Sequence, residues 1–139
     1  MNRFVLDTSV AVSWFFDDEA GEYTAAVLES LTEWEAVVPA LWPLEVANVL
    51  LVAERRKRCS EAEAVRFIEL LASLPIVTDD DTARRALHGT YQLAREYALT
   101  AYDAAYLELA MRLGAPLATQ DRQLAEAAGQ AGVAIFRQK

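Results

Sequence analysis

The chain has 139 residues, 54% of them apolar, a single cysteine (Cys59) and a net charge of −8. That length is one domain with room for a sizeable core, and that composition excludes a disordered tail, a disulfide framework and a cysteine-built zinc site. No apolar run approaches the ~20 residues of a membrane span, and the acidic balance argues against a protein that coats nucleic acid through surplus Lys and Arg. The last exclusion weakens if acids hold cations: four carboxylates in one site are half of the excess, and two divalent ions would leave a net charge of about −4. The first residues read as a strand and not as a secretory leader with a basic start. A reducing, cytoplasmic setting is therefore expected.

In chain order, residues 3–6 predict a short buried strand, 10–16 and 20–33 two helices, and 36–38 a second strand ended by Pro39. A long helix follows over 41–57. Ser60 and Glu63 form a capping box that opens the next helix, apolar at 64, 67, 68, 71 and 72 and running to about 73. Residues 75–77 predict a third strand and 82–97 a helix. Thr100 opens a helix to Arg112, closed by Gly114 and Pro116 in the expected order. A fourth strand over 116–118, a helix over 121–128 and a last strand over 133–136 complete the chain. Short strands alternating with helices, with no hairpin signal, predict a parallel sheet covered on both faces. Residues 1–139 read as a single α/β domain without repeat or linker.

Ligands of such sheets sit beyond the carboxyl ends of the strands. Asp7 follows the first strand there and Asp121 the fourth. Either is equally readable as a helix-start residue. Glu45 lies in LEVANVLLVA (44–53), where it and Asn48 are the polar residues of an otherwise apolar run. An all-round apolar helix is a buried one, three-residue spacing puts Glu45 and Asn48 on one face, and a buried carboxylate needs a partner charge, hydrogen bonds or a metal. A hydrogen bond or Arg pair to a neighbouring helix would serve equally. Asp103, three residues after Thr100, is either the acid of a capping box or an inward-facing carboxylate of an apolar helix. Together Asp7, Glu45, Asp103 and Asp121 predict a cluster of oxygen ligands at one sheet edge. Mg²⁺ and Mn²⁺ prefer such oxygens, and a cation offsets the repulsion of packing carboxylates together.

Four segments in series, VLDTSV (5–10), LEVANVL (44–50), LTAYDAAYLELA (99–110) and LATQDRQL (117–124), resemble the PIN-domain ribonucleases, most of all the VapC toxins of bacterial and archaeal toxin–antitoxin pairs. The resemblance spans nearly the whole chain. It implies a three-layer α/β/α sandwich with a central parallel sheet. It also implies Mg²⁺- or Mn²⁺-dependent endonucleolytic cleavage of RNA to 5′-phosphate and 3′-hydroxyl ends. The family's acids correspond to Asp7, Glu45, Asp103 and Asp121, its site hydroxyl to Thr119, and the polar residues after its first Asp to Thr8 and Ser9. A cognate antitoxin and a homodimer are the partners it implies, and the aromatic-bearing helices 10–16 and 41–53 are compatible with an interface.

Other chemistries fit less well. His88 is the one histidine, which excludes two-histidine ribonuclease chemistry and reads as a helix-surface residue. Ser9 lacks a nucleophile elbow, and no Gly-rich phosphate loop is present. Asp79, Asp80 and Asp81 are the rival acid set, read mainly as a solvated turn with a cap. The basic run Arg55, Arg56, Lys57 and Arg58 either complements a helix end or meets RNA phosphates. Trp14, Trp34 and Trp42 read as core or interface residues. Two rivals stand beside the nuclease: a catalytically idle PIN-like module that binds RNA or protein, and a phosphoryl acceptor at Asp7. The latter needs a nearby Lys, and the chain has only Lys57 and Lys139.

Overall fold

A computed structural model describes residues 2–137; Lys139 lies outside them. The chain runs β1 (Arg3–Leu6), α1 (Thr8–Ser13), a 3₁₀ turn (Asp17–Glu19), α2 (Glu22–Ser30), β2 (Glu35–Val38), α3 (Trp42–Arg55) and α4 (Glu61–Ser73). It continues through β3 (Ile76–Thr78), α5 (Thr82–Arg85), a π-helical turn (Ala86–Thr90), α6 (Tyr91–Tyr97), α7 (Ala101–Leu113), β4 (Leu117–Ala118) and α8 (Arg122–Gln130). Every strand pairing is parallel and the order is β3-β2-β1-β4. Phe4, Val5 and Leu6 are fully buried, the continuous apolar run of a central strand covered on both faces.

The strand order locates the site. The chain steps outward from β1 to β2 to β3, then returns across β1 to β4 on its other side. With right-handed crossovers, the helices of the two outward steps cover one face and those of the return cover the other, giving the α/β/α sandwich. The direction reverses between β1 and β4, and ligands bind at such a switch point. Leu6 pairs with Ala118 there, so Asp7 and Thr119 emerge side by side.

Several expectations are corrected. The helix over 41–57 is not buried all round: Trp42, Val46, Leu50 and Ala53 form its one buried stripe, while Leu44 is 74% and Leu51 46% exposed. The helix over 82–97 is interrupted at His88 (φ −121°, ψ −106°), where the π turn shifts the helical phase and leaves Leu87 exposed but Thr90 buried. The strand over 133–136 is a single bridge, Leu117 to Ile135, flanked by Leu117 N–H to Ala134 O at 2.9 Å and Phe136 N–H to Leu117 O at 2.8 Å. β4 offers only two residues to pair, because Pro116 before it has no N–H. Of the aromatics on the two interface-compatible helices, Phe16 and Trp42 are buried, while Trp14 and Phe15 are partly buried against the core.

Candidate active site

Asp7 occupies the N-cap position of α1 with extended backbone, yet its carboxylate makes no capping hydrogen bond. Its Oδ2 instead accepts from Ser9 Oγ at 2.7 Å and Thr119 Oγ1 at 2.8 Å. The direction of both bonds is fixed. Ser9 Oγ accepts the Gln120 N–H and Thr119 Oγ1 the Asp121 N–H, each at 3.0 Å, so the one proton of each hydroxyl is left for Asp7. Burial pushes the Asp7 carboxyl above its ordinary value; the two hydroxyls pull it back, and the charges of Glu45 and Asp121 push it further up.

Asp103 stands in the first turn of α7, its N–H donating to Thr100 Oγ1 at 3.1 Å. The reciprocal half of a capping box, Asp103 carboxylate to Thr100 N–H, is absent among the described residues. Its half-buried carboxyl is pushed up to about 6, first by lost hydration, then by the charges of Asp121, Asp7 and Glu45. Asp121 does cap: its Oδ1 accepts the Leu124 N–H at 2.9 Å and opens α8. Glu45, in the first turn of α3, is half-buried, and its Oε1 accepts from Thr8 Oγ1 at 3.0 Å and from Tyr106 Oη at 2.5 Å.

Asp7 and Asp103 thus lie within electrostatic reach of each other and of both Glu45 and Asp121. None of the four acids forms an ion pair with a Lys, Arg or His among the described residues. Nor do three His, Cys, Asp or Glu side chains among those residues close into a ready-made metal cage. The arrangement is looser than a cage: uncompensated hard oxygens of the kind that hold Mg²⁺ or Mn²⁺ partly through water. Thr8, Ser9 and Thr119 join this network, whereas Asn48 is exposed and makes none of the hydrogen bonds around it.

The rival acids behave oppositely. Asp79 is ion-paired with Arg112 at 2.9 Å and Asp81 with Arg84 at 2.8 Å and Arg85 at 3.0 Å. They are compensated charges, and Asp79 is not a solvated turn residue: the Arg112 guanidinium holds its carboxyl below the ordinary range. Of the basic run, Arg58 pairs with Asp18 at 3.2 Å and lies 4.3 Å over the Phe16 ring, while Arg55, Arg56 and Lys57 are exposed. His88 is exposed. Trp42 is buried, and Trp34 packs edge-on to Phe136 at 4.8 Å. Tyr106 escaped the sequence reading. Its signal was its place three residues after Asp103, hence on the same helical face, as the one hydroxyl within the core-facing run 104–110.

The PIN domain model matches residues 4–130. Ribonuclease VapC3 of Pyrobaculum aerophilum is 32% identical over 124 residues, covering 89% of this chain and 93% of that protein. Ribonuclease VapC12 of Mycobacterium tuberculosis is 33% identical over 125 residues, covering 90% and 92%. In fold, the chain is similar to a crystal structure of VapBC2 from Rickettsia felis bound to a DNA fragment from their promoter, with a TM-score of 0.65, 10% identity and 96% of each chain covered. From its first strand to its last helix, the chain belongs to the PIN-domain family, among the VapC ribonucleases.

Proposed function

We propose that the chain is a Mg²⁺- or Mn²⁺-dependent endoribonuclease and the toxin of a toxin–antitoxin pair. One observation carries the reading: four carboxylates at the sheet's switch point repel one another and lack any cationic partner among the described residues, while Asp79 and Asp81 nearby are matched by arginines. Burying like charges without compensation is costly, and a divalent cation removes that cost. Asp7 and Asp103 are the central cation ligands in this reading, with Glu45 and Asp121 completing the shell directly or through water. When bound, the cation polarises phosphate oxygens and makes water more acidic.

The protein's own groups prepare for that chemistry. Ser9 and Thr119 occupy Oδ2 of Asp7 and leave Oδ1 without a hydrogen bond among the described residues, which orients the carboxylate. Thr8 and Tyr106 do the same at Glu45. The substrate is RNA, cut to 5′-phosphate and 3′-hydroxyl ends without use of the 2′-hydroxyl. An antitoxin and a second copy of the chain are the proposed partners; the relatives named ribonuclease VapC and the likeness to a VapBC fold support the first of these.

Asp103→Asn tests the proposal. The expected outcome is loss of Mn²⁺- or Mg²⁺-dependent RNA cleavage, read by gel, with an unchanged circular dichroism spectrum. Full cleavage by this variant overturns the role given to the acids.

A further inference from the structure

Tyr106 is fully buried on α7, yet its hydroxyl leaves its own helix for two others. It lies 2.5 Å from Glu45 Oε1 on α3 and 2.8 Å from Thr8 Oγ1 on α1, and Thr8 Oγ1 to Glu45 Oε1 at 3.0 Å closes the triangle. Each of the three helices brings an acid. Asp7 precedes Thr8, Glu45 is on α3, and Asp103 sits one turn before Tyr106.

Two hydroxyls hold two protons and a carboxylate none, so at most two edges of the triangle are hydrogen bonds at once. The phenol is the stronger acid of the two hydroxyls, and its edge to Glu45 is the shortest, so Tyr106 donates to Oε1. Glu45 Oε2 takes no hydrogen bond among the described residues. A carboxylate held at one oxygen and bare at the other is oriented without being neutralised. An arginine in the same place would also orient it but would cancel the charge that attracts a cation.

We infer that Tyr106 is a positioning residue of the acidic site, fixing Glu45 so that its second oxygen is presented to a divalent cation together with Asp7 and Asp103. The inference rests on the reading of these acids as cation ligands. Groups that orient a ligand are worth about 10–100-fold in metal affinity.

Tyr106→Phe keeps the buried ring and removes only the hydroxyl. Mn²⁺ affinity of the whole chain is read without RNA, from the electron paramagnetic resonance of the free ion. It is expected to fall about 10-fold. In cleavage, half-maximal rate then needs correspondingly more Mn²⁺, and the rate at saturating Mn²⁺ approaches that of the unaltered chain. Unchanged Mn²⁺ affinity overturns the inference, also when the melting temperature in chelator falls, because that is the mark of a hydroxyl serving only the fold. Where Tyr106→Phe does not fold in buffer alone, both proteins are compared in sucrose, which favours the compact state, and equal Mn²⁺ affinity there overturns the inference as well. If the unaltered chain binds no Mn²⁺, the proposed function itself fails; that outcome is distinct from equal binding by both proteins.

Discussion

Asp103 has the least support of the four acids, since Asp7, Glu45 and Asp121 each accept hydrogen bonds and its own carboxylate accepts none among the described residues. Its carboxyl is pushed up to about 6 from an ordinary 3.8. Between those values the folded chain binds more protons than the unfolded one, so this group's contribution to stability falls as pH rises and stays low above the folded value. Asp7 is raised as well and acts in the same direction, while Asp79 and Asp81 are lowered and titrate below this window. In chelator the melting temperature is therefore expected to drop between pH 5 and pH 7 (about the span of the Asp103 titration). Asp103→Asn should flatten that slope, and saturating Mn²⁺ should oppose it, because the cation favours the ionised acids. Thermal unfolding at constant ionic strength checks this; a melting temperature that climbs with pH in chelator contradicts it. These acids were legible because carboxylates after strands, or within apolar runs, violate the local pattern. Tyr106 was not, because a tyrosine in an apolar helix violates nothing, and its role depends on two helices remote in sequence.

α7 is the element on which both the site and the core depend. Its first turn carries Asp103, its middle is buried from Ala104 to Ala110, and its last turn carries Arg112. Arg112 donates to Asp79 at the end of β3 and to Glu108 one turn earlier, the three side chains being 17%, 12% and 9% exposed. Arg112→Met keeps the length of the side chain but leaves the largely buried Asp79 without its cation and Glu108 with only Arg85 at 3.9 Å, a loss of about 3 kcal/mol. Urea unfolding should show this as a lower midpoint with an unchanged slope. A midpoint within error of the parent would mean that solvent already compensates these acids. The sheet order follows from what the sequence displays at this scale: contiguous apolar runs give the strands, and Ser60 and Thr100 give real caps at the start of α4 and α7. Asp79 was misread because an acidic triplet after a strand looks solvated until the partner arginine, 33 residues away, is brought to it. The π turn at His88 likewise depends on packing that settles which residues of 86–97 face inward.

Across the whole molecule, 21 acidic residues face 13 Lys and Arg, and Arg58, Arg84, Arg85 and Arg112 are tied up in ion pairs. A field of that sign repels a polyanion, so under the proposed function the hold on RNA has to come mainly through the cations that the acids would gather. Among the described residues, the exposed trio Arg55, Arg56 and Lys57 at the end of α3 is the densest run of basic side chains left to meet phosphates. Contacts between basic side chains and single-stranded RNA release about 0.7 counterion each. Three such contacts set a limit of about −2 for the slope of log kcat/KM against log KCl. The expected slope, at fixed saturating Mn²⁺, is no steeper than this, and replacing all three residues by Ala should bring it close to zero while cleavage at low salt persists. A markedly steeper slope would mean that further exposed arginines, such as Arg3, Arg66, Arg95 or Arg122, also meet phosphates, and the division of labour between acids and basic side chains would have to be redrawn. An unchanged slope in the triple variant would instead assign Arg55, Arg56 and Lys57 to the helix end alone, where they complement the carbonyl pole of α3.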